Sequence, residues 1–70
     1  MKNHIYKQIE LTGTSPSSIE DAVERALKRA NKTVRNLDWF EVTGTRGTIL
    51  KGKVRQWQVT LKVGSRLEDA

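Results

Sequence analysis

The stretch Asn36–Val42 of this 70-residue chain reads "NLDWFEV" and sets two large aromatics, Trp39 and Phe40, side by side. Neighbouring side chains of a strand point to opposite faces, so these two rings do not share one core. One of them packs on something other than its own chain. A tryptophan left on an open face serves as a subunit contact, because the residue is enriched at interfaces. It serves equally as a stacking platform for a planar ligand, where each base-like ring contributes about 1–3 kcal/mol. Gln58 falls on the same uncovered face by alternation, and its amide offers both a donor and an acceptor to the edge of a pyrimidine-like ring. Arg46, beside Gly47, and Arg66, after Gly64, stand near strand interruptions that can aim a guanidinium at phosphate or carbonyl oxygens. The competing reading of both arginines is an ordinary solvated charge.

Catalytic constellations are not visible. The chain has no cysteine and a single histidine, His4, which lies near the start beside Lys2 and Asn3, as a solvated residue would. Neither a nucleophile–base set nor a thiolate metal site can be assembled from these residues. Glu20, Asp21 and Glu24 share a helix with lysines and arginines and read as a solvated face. "GTRGTILKGK" lacks the order of a phosphate loop, and "TGTS" is one weak glycine turn. A binding protein is therefore expected rather than an enzyme.

The elements that must position these residues follow from periodicity. Ile5, Ile9 and Leu11 alternate with Tyr6, Gln8 and Glu10, which is a half-buried first strand. Gly13 is expected to end it, with Ser15–Pro16 or a Ser17/Glu20 capping box starting a helix. Ile19, Ala22, Val23, Ala26, Leu27, Ala30, Val34 and Leu37 keep helical spacing, so the helix is expected to run from about Pro16 to Arg35, roughly 30 Å. Asp21 with Arg25 and Glu24 with Lys28 are favourable i,i+4 pairs on its other side.

A second strand follows, with Phe40 and Val42 toward the helix and Trp39, Glu41 and Thr43 away from it. The third runs from about Lys53 to Leu67, with Trp57, Val59, Leu61, Val63 and Leu67 on one face and Gln56, Gln58, Thr60 and Lys62 on the other. Gly44 and Gly47 mark bulges or a bend, and the "LKGK" of Leu50–Lys53 is a hairpin turn. The order β-α-β-β makes one α+β domain over residues 1–70, a three-stranded antiparallel sheet with one helix covering Ile5, Ile9, Leu11, Phe40, Val42, Val59, Leu61 and Val63.

Composition sets the remaining bounds. A chain of this length buries only about 60% of its unfolded surface and has no disulfide to help it, so oligomerisation is the expected source of extra burial. The net charge of +5 favours phosphate-bearing partners, from nucleic acid to nucleotide cofactors. A small nucleic-acid-binding module is therefore an alternative, although the basic residues are spread along the chain and mixed with acids, and a purely structural oligomer whose Trp39 face makes only subunit contacts is another. No segment approaches the ~20 apolar residues of a membrane span, and the start lacks the apolar run of a signal peptide, so a cytoplasmic protein with no membrane partner is expected.

Taken together, "ELTGTS", the helix, "LDWFEV", "RG" and "WQVTLKVGSRLED" resemble the bacterial dodecins over nearly the whole chain. The resemblance implies a sheet wrapped partly around the helix and a hollow homododecamer. It also implies flavins stacked in pairs between symmetry-related tryptophans, for storage and photoprotection without turnover. On this resemblance Trp39 is the stacking residue, Gln58 binds the flavin edge, and Arg46 and Arg66 stand at the flavin site, with FMN, riboflavin or lumichrome as ligand. It further implies a coenzyme A site at Lys7, Arg29, Thr33, Val34, Arg35 and Glu68. One departure is Ser65 in "GSRLED", where the family usually carries phenylalanine. Losing a large buried aromatic typically costs about 3–5 kcal/mol where the site cannot collapse, so Ser65 is expected to loosen this strand end.

Overall fold

The computed structural model describes residues 3–68. The chain runs β1 (Tyr6–Ser15), α1 (Ile19–Ala30), β2 (Leu37–Leu50) and β3 (Lys53–Arg66). The sheet order is β1-β3-β2, with both pairings antiparallel, so β3 is the central strand. The expected β-α-β-β architecture holds.

The helix is shorter than its apolar spacing suggests: 12 residues, or about 18 Å at 1.5 Å per residue. Its cap is Ser18, whose side chain accepts from the Asp21 backbone N–H at 3.0 Å. Neither Ser15 nor Ser17 caps it. Ser15 is instead fully buried; its Oγ accepts from the Ser17 and Ser18 backbone N–H groups at 3.0 and 3.4 Å and donates to Asp21 at 2.6 Å. This network winds Pro16 and Ser17 into a turn ahead of the helix. At the other end, Asn31, Thr33 and Val34 are poor helix formers, and Asn36 adopts φ 59°, turning the chain into β2. Val34 and Leu37 therefore lie beyond the helix.

The first strand does not stop at Gly13 but continues to Ser15. The glycine is needed for packing: a Cβ there would meet the Ala22 carbonyl oxygen at 2.1 Å and the Ala26 side chain at 3.0 Å. Only a bare backbone lets α1 settle this closely onto β1. Ala22, Val23 and Ala26 pack there with Val59, Leu61 and Val63 of β3, flanked by the half-buried Ile9, Leu11, Ile19, Leu27 and Leu37. Ile5 and Leu67, expected on this side, lie outside the strands and are exposed.

The helix lies over β1 and β3 and, beyond the half-buried Leu37, leaves β2 largely uncovered. Phe40 and Val42 pair with the buried Val63 and Leu61 and so face the helix side, yet they stay 49% and 43% exposed. With Ile19, Val23 and Leu27 they line an open apolar groove of about 430 Å³. One short helix does not span three twisted strands. At the tip of the β2–β3 hairpin, Lys51 and Gly52 both have positive φ, 53° and 76°, the expected tight turn.

Two register shifts in β2 decide which side chains share a face. Leu37 pairs with Ser65 and Trp39 with Gly64, so Asp38 is an extra residue. Val42 pairs with Leu61 and Gly44 with Thr60, so Thr43 is a second one. Its hydroxyl donates to the Thr60 carbonyl at 3.3 Å. Strict alternation would put Leu37 and Trp39 on one face; the Asp38 bulge separates them. Alternation would likewise put Arg46 on the face of Phe40 and Val42, and the Thr43 bulge returns it to the face of Trp39. Gly47, by contrast, pairs regularly with Trp57.

Candidate functional site

The face of the sheet away from α1 is built from cross-strand rows. From one end these are Tyr6 with Arg66, then Gln8, Gly64 and Trp39, then Glu10, Lys62 and Glu41, then Thr12, Thr60 and Gly44, and last Thr14, Gln58 and Arg46. Large or charged side chains occupy the two ends. Between them lie the charged row of Glu10, Lys62 and Glu41 and a short polar row in which Thr12 and Thr60 are joined by a 3.0 Å hydroxyl–hydroxyl bond.

At the first end, Trp39 leans inward across the central strand. A Cβ on Gly64 would lie 2.1–2.6 Å from Cε2, Cζ2 and Nε1 of the indole, so the ring occupies the space above this glycine. The Tyr6 ring meets it edge-on, centroids 5.7 Å apart and planes at 62°. The phenol donates a 2.9 Å hydrogen bond to the bulged Asp38. That bond raises the Tyr6 pKa above its ordinary value, with further upward contributions from desolvation and the Asp38 charge, against the lowering effect of Arg66. Trp39 remains 37% exposed, and the indole is the large aromatic of this face that is open to a partner. The backbone of Arg66 is fixed here by Asn36, which accepts from the Arg66 N–H at 2.9 Å and donates its side-chain amide to the Arg66 carbonyl at 3.3 Å.

At the other end, Arg46 Nε donates to Gln58 Oε1 at 2.9 Å. With its oxygen engaged, the Gln58 amide presents its NH₂ as a donor. Two residues further along β2 on this face, the buried Thr48 hydroxyl has no partner among the described residues.

The expected quartet is therefore split in two. Trp39 lies opposite Gly64, and Gln58 is six residues back along β3, about 20 Å at 3.3 Å per residue. Trp39 with Arg66 and Arg46 with Gln58 are two half-sites on one face and do not meet within one chain. Sequence reasoning missed Tyr6, Asp38 and Gly64 as parts of the tryptophan half. Tyr6 was visible by its alternation with Ile5 and Ile9, whereas the Asp38 bulge has no residue-type signature.

A second group sits on the helix side. Arg29, Thr33 and Val34 line an open groove of about 450 Å³ between α1 and β1, together with Gly13, Thr14 and Arg25. Arg35 and Glu68 form a 3.7 Å exposed ion pair beyond its end. Lys7 pairs with Ser65, whose hydroxyl donates to the Arg35 carbonyl at 2.6 Å. The six residues thus gather around the end of α1, although only three line the groove. Ser65 itself is 7% exposed, and this bond ties the end of β3, where loosening is expected, to the segment after the helix.

The Dodecin family model matches residues 5–68. A curated dodecin from Thermus thermophilus is 54% identical over 65 residues, covering 93% of this chain and 94% of its own length. Among solved structures, the dodecin from Streptomyces coelicolor superposes with a TM-score of 0.91 at 53% identity, covering all of both chains. No described helix is long and apolar enough to cross a membrane, and no cluster of metal-ligating side chains occurs among the described residues.

Proposed function

The chain belongs to the dodecin family, and from that premise we propose that it binds flavins non-enzymatically, stacking the isoalloxazine on Trp39 in a shell made of copies of itself. The observation that carries this reading is the indole laid over Gly64, braced by an edge-type contact with Tyr6 and still partly exposed to a planar partner. A bound flavin supplies the planar, light-absorbing ring system, and the protein supplies position and a stacking surface. Arg66 stands on the same face for carbonyl or phosphate oxygens, and the Gln58 NH₂ suits a carbonyl at the ring edge.

Because the two half-sites lie about 20 Å apart in one chain, a ligand on Trp39 meets Gln58 and Arg46 only from another copy. The site is therefore composite, and self-association is part of binding. The uncovered apolar groove at Phe40 and Val42 supports association independently. A dodecameric shell with tryptophans facing each other across its symmetry axes satisfies both requirements. FMN and riboflavin share the isoalloxazine and lumichrome carries the related alloxazine tricycle, so the difference between FMN and riboflavin reports how much the arginines contribute through phosphate.

The groove between α1 and β1 favours a second ligand on the same molecule. Two arginines, Arg25 and Arg29, border it, and Gly13, Thr14 and Thr33 lie along it. Coenzyme A, with its phosphates and adenine, has the chemistry such a groove accepts. A nucleic-acid module is disfavoured because Glu10 and Glu41 flank Lys62 in the middle of the open face.

Fluorescence titration with the three flavins, alongside a mass measurement of the assembly, tests the reading. Wild-type protein quenches flavin emission, and Trp39→Ala abolishes quenching while the assembly persists. Unchanged quenching in Trp39→Ala overturns the stacking role. For the second site, calorimetry with coenzyme A is expected to show binding that Arg29→Ala weakens.

A further inference from the structure

Behind the open face of Trp39 is an arrangement that stacking alone does not require. The Tyr6 and Trp39 rings meet in an edge-type contact, and the Tyr6 hydroxyl donates to a carboxylate, Asp38, at 2.9 Å. Arg66 lies opposite Tyr6 in the register, and the His4 and Tyr6 rings make an edge-type contact with centroids 6.5 Å apart. A phenol is a poor electron donor while it keeps its proton and a good one when a base takes the proton as the electron leaves. The Asp38 carboxylate lies at the hydrogen-bond distance that proton transfer requires.

We propose that Tyr6 and Asp38 form a proton-coupled electron relay that repairs Trp39 after one-electron oxidation. A one-electron oxidant, such as a photoexcited isoalloxazine stacked on the indole, removes an electron from Trp39. Tyr6 returns an electron to the indole as its phenolic proton moves to the Asp38 carboxylate. The products are intact Trp39, a Tyr6 phenoxyl radical and a protonated Asp38; any N–H proton that the indole shed to solvent is regained from solvent. When the electron comes back to Tyr6 from the reduced oxidant, Asp38 returns the proton and the cycle closes with no net consumption. The Tyr6 pKa, raised mainly by the Asp38 hydrogen bond, keeps the phenol protonated and ready to donate. The use of the relay, protecting a platform that sits against a photo-oxidant, rests on the flavin reading; its chemistry does not.

The chain is well suited to a test because it holds one tyrosine and two tryptophans. Ligand-free protein is oxidised with azidyl radical by pulse radiolysis, and the indolyl and phenoxyl absorption bands are followed in time. The phenoxyl band reports Tyr6 alone, and a Trp57→Phe background makes the indolyl band report Trp39. Trp57 pairs with Ser15 and Gly47, seven residues along β3 from Gly64, so it is remote from Tyr6. The expected result is phenoxyl growth matching indolyl decay, at a rate independent of protein concentration, slowed about 100-fold by Asp38→Asn. In the unmutated protein the same step is expected to slow in D₂O, a readout that needs no variant to fold. Phenoxyl growth that scales with protein concentration, or a rate unaffected by both Asp38→Asn and D₂O, overturns the relay. A wild-type protein that shows the relay yet quenches no flavin supports the relay and overturns the function proposed for the site.

Discussion

Replacing Gly64 with alanine tests the geometry of the tryptophan platform without touching the tryptophan. The added Cβ would lie 2.1 Å from Trp39 Cε2, far inside van der Waals contact, and the nearest atoms all belong to the indole. The ring has to move, and it can, because β2 is an edge strand and Trp39 is already partly exposed. The fold is therefore expected to survive while the platform tilts or lifts off the sheet. Stacking contributes about 1–3 kcal/mol per ring, so losing it weakens flavin binding by about 5- to 150-fold at 1.4 kcal/mol per decade. The assay is a flavin fluorescence titration, run with circular dichroism and a mass measurement on the same sample. Gly44→Ala is the matched control, since a Cβ there meets nothing within 4 Å. Wild-type affinity in Gly64→Ala, with fold and assembly intact, would refute the claim that the glycine seats the stacking ring.

Three further outcomes follow from other contacts. Ser65→Ala removes the bond to the Arg35 carbonyl and is expected to cost about 0.5–1.5 kcal/mol, read as a lower denaturation midpoint; no change would mean that water replaces the hydroxyl at no cost. Asp21 has its pKa lowered, first by the Ser15 hydroxyl and then by Arg25, so its contribution is present above the ordinary carboxylate range and is lost as pH falls through the folded-state value. Thermal stability is accordingly expected to fall in acid, and Asp21→Asn to flatten that part of the profile. Deleting Thr43 removes one bulge and is expected to turn either Trp39 or Arg46 to the other face. Crystallography of the deletion variant, with a flavin titration, checks whether the Arg46–Gln58 bond and flavin binding are lost together.

The sequence was most legible where one rule governs each position. Alternation in β3 placed Val59, Leu61 and Val63 inside and Gln58 outside, because a central strand has regular partners on both sides. Alternation also put Trp39 outward and Phe40 toward the helix side. The extent of α1 was overstated because Val34 and Leu37 keep its period for a different reason: they belong to the turn and to β2. Gly13 was read as a breaker when it is a contact point, since a single sequence does not distinguish a glycine needed for φ from one needed for space. The separation of Trp39 from Gln58 depends on register, which is set by pairings between strands and not by the pattern within either one. Ser65 illustrates the same limit. Its type signals a lost aromatic, and only the fold reveals the carbonyl it meets.

The bulges of β2 give that strand something like a reading frame. Each extra residue inverts the assignment of inside and outside for everything beyond it, so Trp39 and Arg46, at positions of opposite parity, end on one face because one bulge lies between them. A single-residue insertion or deletion in this segment therefore acts as a frameshift in space, exchanging ligand-facing and helix-facing side chains while leaving composition almost untouched. A second indel nearby restores the frame. Length changes in this strand are tolerated only in compensating pairs, whereas substitutions at the two bulged positions keep the frame and act through the contacts of Asp38 and Thr43 themselves.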